Sequence, residues 1–321
     1  MNSLRTATAR PALALAGAGP AALGTFEFGT AALPAARAYE LLDAYYEQGG
    51  RLIDAAPTYG PDGGAFRAEP LIAAWLRVTG ASGVHVISKA GLDPGRPERG
   101  DLRPETILAT AAGSAARLGV PFILVLHRDD PQVPVGEIAD AASRAVAGGL
   151  ASGTGASNWT AARLEAWAGH ACRCGLAGPQ VTAPLWSLAP RTDPPSEPWL
   201  AEATPEHLAV AARHGMTVTP YRALAAGYLA GSHSGRHSAH HAAAYDTPAG
   251  RARRERLRRA ARVLGMTPHG LALAWLRAVS LAPAIPVIGP RTVTQLRESM
   301  SGAAAAHRVT LDIAAYLEGR P

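Results

Sequence analysis

The chain has 321 residues, enough for one large α/β domain or two ordinary ones, and 48% of them are hydrophobic, ample for a core. A net charge of +6 suits an anionic ligand, but only 6% of residues are aromatic and none interleave with basic runs, which argues for a small phosphorylated partner and against nucleic acid. Cys172 and Cys174 are too few and too close for a disulfide framework, and no run of about 18 apolar residues offers a membrane span.

The amino terminus, MNSLRTATARPALALAGAGPAALG, has early arginines and an apolar stretch like a signal peptide. Gly17, Gly19 and Pro20 break that stretch, and cleavage there would cut into the first strand, so the expectation is a cytoplasmic protein with a loose segment over residues 1–20. From residue 21 short β-rich runs alternate with alanine-rich amphipathic stretches. The strands are predicted in ALGTF, RLIDA, VHVISKA, FILVLH, SGTGAS, QVTAPL, MTVTPY and IPVIG. Between them, Leu41, Leu42, Tyr45 and Tyr46 recur at helical spacing before the Gly49-Gly50 stop. Eight strands alternating with helices predict a single-domain α/β protein, a (β/α)8 TIM barrel over residues 21–303. Residues 230–252, rich in Gly, Ser and His, read as a mobile insert, and residues 304–321 as a tail with a short helix.

Several motifs point elsewhere and lack the context they need. GAGPAA nominally fits a dinucleotide fingerprint, yet Pro20 stands inside it and no strand precedes it. HRDD echoes a kinase catalytic loop without the companion motifs. His170 with Cys172 and Cys174, and the scattered His233, His237, His240 and His241, lack metal-site spacing and read as solvated side chains.

In a barrel of this type the chemistry sits at the C-terminal strand ends. There the sequence places Gly24 and Thr25, Asp54, Lys89, His127, Ser157 with Asn158, Gln180, Tyr221 and Gly289. Lys89 is the only lysine among 31 basic residues, and a lysine, unlike arginine, is a compact cation whose pKa shifts readily. Tyr59 follows Asp54 by five residues, so it can reach the same mouth. A free phenol, with a pKa near 10, donates poorly at neutral pH. A nearby ammonium favours its phenolate, and a carboxylate fixes that ammonium.

In order along the chain, LGTFEFG, RLIDAAPTYG, VISKAG, LVLHRDDP, GASNW, QVTAPLWSL, TPYRALAAGYL and IPVIGPRTVTQLRES resemble the signature segments of the aldo-keto reductases. The resemblance implies a catalytic tetrad of Asp54, Tyr59, Lys89 and His127, and metal-free hydride transfer between NADP(H) and a small-molecule aldehyde or ketone, a sugar or a biosynthetic intermediate among the options. It implies that Gly24, Thr25, Ser157, Asn158, Gln180, Tyr221, Arg222, Leu224, Gly289, Arg291, Gln295 and Glu298 bind the cofactor, with Arg291 on the 2′-phosphate. Phe26 and Trp186 would wall the substrate pocket. Each has a plainer reading: Asn158 as a helix cap, Tyr221 and Trp186 as core, Arg291 as a surface residue. Arg222, Pro290 and Ser299 depart from the family's usual residues. The alternative to an enzyme is an NADP(H)-binding regulatory subunit.

Overall fold

The structure, a computed structural model, describes residues 15, 17–60, 67–92, 99–192, 197, 199–231 and 242–320. Eight parallel strands are hydrogen-bonded in the order β7-β6-β5-β4-β3-β2-β1-β8: β1 (Ala22–Gly24), β2 (Leu52–Asp54), β3 (His85–Ala90), β4 (Ile123–Leu126), β5 (Gly153–Ser157), β6 (Pro179–Ala183), β7 (Thr217–Val218) and β8 (Val287–Ile288). The ring closes where Val218 N–H donates to Pro283 and Val287 N–H to Pro220. All eight predicted strands are present, and the fold is a single-domain (β/α)8 barrel. The outer layer is α1 (Ala35–Glu47), α2 (Ala68–Thr79), α3 (Pro104–Leu118), α4 (Val135–Ala147), α5 (Ala161–Cys174), α6 (Pro205–Arg213), α7 (Pro248–Leu264), α8 (Pro268–Val279), α9 (Val293–Ala304) and α10 (Leu311–Glu318).

Local chemistry explains many of the boundaries. Thr160, Thr204, Thr247, Thr267, Thr292 and Thr310 each stand one residue before a helix and accept the N–H three positions on, satisfying a donor the helix cannot. Proline at the first position of α3, α6, α7 and α8 presets the helical φ. The helix α7 starts at Pro248, inside the stretch expected to be a loop over 230–252; Thr247 and Pro248 supply a cap and a first turn that the Gly- and Ser-rich composition hides. His233, His237, His240 and His241 lie outside the described residues.

Strand alternation sorts side chains between two cores. Ala22, Leu52, Ile87, Ile123, Val125, Val181 and Ile285 fill the barrel interior, while Leu23, Ile53, Val86, Leu124 and Leu126 face the helices. Leu15 and Ala18 are buried in the interior cluster, so the loose segment expected over 1–20 does not extend to these two residues; apolar side chains there escape water by joining the barrel core. Residues 1–14 and 16 lie outside the described residues. The Tyr45 hydroxyl ties the neighbouring strands together, donating toward Ala21 and Leu52 carbonyls and accepting from Leu52 N–H. Gly50 leaves room for that ring, since a Cβ there would fall 2.2 Å from it. The tail helix α10 is held by Trp275 Nε1 donating to Glu318 (3.0 Å) and Arg256 Nε donating to the Leu317 carbonyl (3.3 Å). Among the described residues no helix is long and apolar enough to cross a membrane.

Candidate active site

The same alternation builds the mouth. In β2, Leu52 points inward, Ile53 outward and Asp54 inward; in β3, Ile87 is inward, Ser88 outward and Lys89 inward; in β4, Ile123 and Val125 put His127 on the same side. Asp54, Lys89 and His127 are therefore the next polar layer above the interior apolar plug, on adjacent strands. Lys89 Nζ donates to Asp54 Oδ1 at 2.7 Å and to the Ala55 carbonyl at 2.9 Å, with side chains only 4% and 8% exposed. Outward-facing Ser88 donates to Glu69 of α2, which also receives Arg117 Nε of α3, so β3 is fastened to two helices beside its lysine.

Tyr59 reaches this group from the loop after β2. Gly60 fixes the turn: its φ is +75°, and a Cβ would meet the Phe28 carbonyl at 2.3 Å. Lys89 Nζ stands 4.5 Å from the Tyr59 ring centre, the His127 ring 6.1 Å away and the Phe26 ring 5.3 Å away, both edge-on. Burial raises the Tyr59 pKa; Lys89 pulls it down, and Asp54 pushes it up again. The ammonium acts in the direction expected, but desolvation outweighs it and the phenol stays protonated at neutral pH. Burial also opposes the Lys89 charge, yet Asp54 and Tyr59 more than offset it, so its pKa lies above the ordinary lysine value. Burial, then the charges of Lys89 and Arg128, hold His127 well below the usual imidazole range. The mouth thus combines a protonated phenol, an ammonium, a carboxylate and a neutral imidazole.

Across the mouth, Asn158 adopts φ +60°, a left-handed conformation asparagine tolerates. It is not a helix cap, because Thr160 caps α5. Its amide donates to the His127 carbonyl and to Ser157 Oγ, both at 3.1 Å, and Tyr221 donates to its Oδ1 at 2.5 Å. Ser157 Oγ donates to the Ala183 carbonyl at 3.0 Å, and Thr25 Oγ1 to the Asp54 carbonyl at 2.9 Å. Tyr221 is thus a mouth residue, not core. Gly24 has a packing reason: a Cβ would lie 3.0 Å from Val287 Cγ1 and 3.1 Å from the Ile288 carbonyl. Gly289 is exposed, with nothing within 4 Å of its missing Cβ.

Two expected site residues fall elsewhere. Gln180 is the residue skipped where Thr154 pairs Pro179 and Gly155 pairs Val181, and it lies near the start of β6. The residue paired with Ser157 is Ala183, so a methyl occupies the strand end where the amide was expected. Trp186 turns away from the mouth into the helical shell, its ring 5.8 Å from Trp275 of α8, on a cavity of about 580 Å³ that α6, α8 and the tail also line. Trp199 was missed: it stacks on Arg128 at 3.6 Å, next to His127. Its signal, a tryptophan in a proline-rich loop, has no periodicity to mark it.

The outer residues have partners absent from the sequence reading. Arg222, at φ +50°, forks onto Glu197, which also takes Arg191. Leu224 packs on the main core before Ala225 and Ala226, both at φ +53°. Arg291 forks onto Glu27, and its backbone N–H donates to Gln295 Oε1 at 2.8 Å. Glu298 pairs with His269 of α8 at 3.3 Å. At the far side of the barrel His170 pairs with Asp140, and Cys172 and Cys174 are free and exposed.

A barrel closed by eight parallel strands with this tetrad at its C-terminal mouth defines a class, and comparison with known proteins names it. The aldo/keto reductase family model matches residues 21–314, and the chain belongs to that family. It is 28% identical over 289 residues to the uncharacterized oxidoreductase YrpG of Bacillus subtilis, covering 87% of this chain and 85% of that protein. It is also 28% identical over 203 residues to a probable voltage-gated potassium channel subunit beta of Arabidopsis thaliana, covering 61% of this chain, and 30% identical over 199 residues to one from Oryza sativa, covering 60%. The matches span 57% and 56% of those two plant proteins.

Proposed function

We propose that the chain is an NADP(H)-dependent oxidoreductase that reduces an aldehyde or ketone, with Tyr59 as the general acid. The observation that carries this reading is the Asp54–Lys89–Tyr59–His127 cluster on adjacent segments of one barrel mouth. The residues suit a dinucleotide: amide and hydroxyl groups of Ser157, Asn158 and Tyr221 stand at the mouth, open space lies over Gly289, and a guanidinium follows at Arg291. When bound, the reduced nicotinamide supplies a hydride to the carbonyl carbon. Neutral His127 donates one hydrogen bond to the carbonyl oxygen and orients it. Tyr59 gives its proton to the alkoxide oxygen that develops, and Lys89, held by Asp54, stabilises the phenolate left behind. A phenol kept protonated by burial favours the reductive direction.

The test is NADPH oxidation across a panel of aldehydes, ketones and keto-sugars, with Tyr59→Phe as the variant. Turnover should fall by about 10²–10⁴-fold when the acid is removed. Full activity in Tyr59→Phe would overturn the mechanism. The names of the plant relatives favour a second reading, a cofactor-binding regulatory subunit. Tight NADPH binding without oxidation by any carbonyl of the panel would select it.

A further inference from the structure

The edge of Arg291 suited to a phosphate is already filled. Nε donates to Glu27 Oε2 at 2.7 Å and Nη2 to Glu27 Oε1 at 2.5 Å, the paired geometry a guanidinium otherwise gives a phosphate. The carboxylate is presented by a fixed turn: Phe28 N–H donates to Thr25, while Thr30 N–H and Thr30 Oγ1 both donate to the Glu27 carbonyl. On the other side, Gln295 and the Thr292 cap of α9 fix the backbone of the Arg291 loop. The side chains are 24% and 30% exposed, so the pair is wet enough to exchange partners. It joins the loop after β1 to the loop after β8, beside the open space over Gly289.

We propose that Glu27 sets the cofactor preference of this chain by competing with the 2′-phosphate for Arg291. The inference rests on the reading of Arg291 as the 2′-phosphate residue. A 2′-phosphate dianion gains Arg291 only when Glu27 gives it up, and the displaced carboxylate remains close by as a like charge. A ribose with a free 2′-hydroxyl meets no such opposition, because a carboxylate accepts a hydrogen bond from a hydroxyl. Glu27 therefore acts against NADPH and not against NADH, and narrows the preference that Arg291 alone would impose.

Binding of NADPH and NADH to the full chain, followed by quenching of tryptophan fluorescence, tests this without turnover. Glu27→Gln keeps the size and polarity and removes the charge. It should tighten NADPH by about tenfold and leave NADH unchanged or weaker, and Glu27→Ala should shift the ratio the same way. In an Arg291→Ala background the Glu27→Gln effect on the ratio should shrink to the part owed to the direct meeting of Glu27 with the 2′ group, since the competition for the guanidinium is gone. If Arg291→Ala weakens NADPH selectively while Glu27→Gln leaves the ratio of the two cofactors unchanged, the role of Glu27 is overturned and that of Arg291 stands. If Arg291→Ala weakens both cofactors equally or neither, the 2′-phosphate reading falls and the inference falls with it.

Discussion

The arc from β2 to β4 and the arc from β5 to β8 present polar side chains to the same mouth by different means. On the first arc, Asp54, Lys89 and His127 continue the inward rows of Leu52, Ile87 and Ile123–Val125, so period-two alternation alone aims them. On the second arc the expected cofactor residues sit mostly in loops or beside a bulge, at left-handed backbone angles in Asn158 and Arg222, and Asn158, Arg222 and Arg291 are each held by a partner far away in sequence. Asp54 and Lys89 stand on strand and His127 one residue beyond it, so hydrogen-bonded neighbours fix the backbone of the first arc. The second holds its residues through polar pairs that a ligand can exchange. On the proposed reading, the chemistry would lie on the arc set by strand alternation, and contacts to the cofactor on the arc held by polar pairs.

The largest effect that sharpens this contrast is expected at Lys89. Lys89→Arg keeps the charge, but the longer planar group cannot both sit 2.7 Å from Asp54 and stand over the Tyr59 ring. Carbonyl reduction should drop by at least about a hundredfold with the fold retained, measured as kcat and by circular dichroism. Full activity would return Lys89 to an accident of composition.

Next in size is the brace behind β3. Glu69 is fully buried and receives both Ser88 and Arg117, so Glu69→Ala leaves buried Ser88 without its acceptor and takes the carboxylate from Arg117, which keeps its bond to Ser114. The loss of stability should be about 3 kcal/mol by urea denaturation, in the range for breaking a buried pair. Unchanged stability would show that alternation holds β3 without the brace.

A smaller, pH-dependent effect separates the arcs again. His207 of α6 is buried against Thr182 of β6, and burial lowers its pKa to about 4. The unfolded chain takes up a proton near pH 6.5, whereas the folded chain resists until about 4, so this stability is present above pH 6.5 and is lost as the pH falls toward 4. Between pH 7 and 5 the chain should lose about 2 kcal/mol from this group, and His207→Gln should abolish that part of the pH dependence. An identical pH profile in the variant would sink the assignment.

How far the site was legible follows the same division. The shared placement of Asp54, Lys89 and His127 could be read because alternation and strand order are local properties of RLIDA, VISKA and LVLH, whereas the grouping of Tyr59 with them as a tetrad came from the family resemblance. Trp186 was misplaced because a strand-end tryptophan gives no sign of which layer its ring enters, and Trp275, its partner, is 89 positions on. Glu27 and Glu197 were not legible because an ion pair leaves no pattern along the chain. Arg291 and its carboxylate are 264 positions apart.

Gln180 gives the smallest and most diagnostic prediction. Its position looked right by counting, but the register slip at Thr154 and Gly155 removes it from pairing, and Ala183 stands beside Ser157 instead. Gln180→Ala should therefore leave NADPH affinity within about twofold, since its backbone stands near the start of β6 and not at the strand end, and it should not lower stability, because its buried Oε1 has no hydrogen-bond partner to lose. Ala183→Gln should do the reverse. An amide at the strand end can add one hydrogen bond to a bound carboxamide, worth about 1 kcal/mol, or roughly fivefold in NADPH binding by fluorescence titration. If Gln180→Ala weakens cofactor binding and Ala183→Gln does not strengthen it, the bulge has been given the wrong meaning, and the second arc is organised by its strand after all.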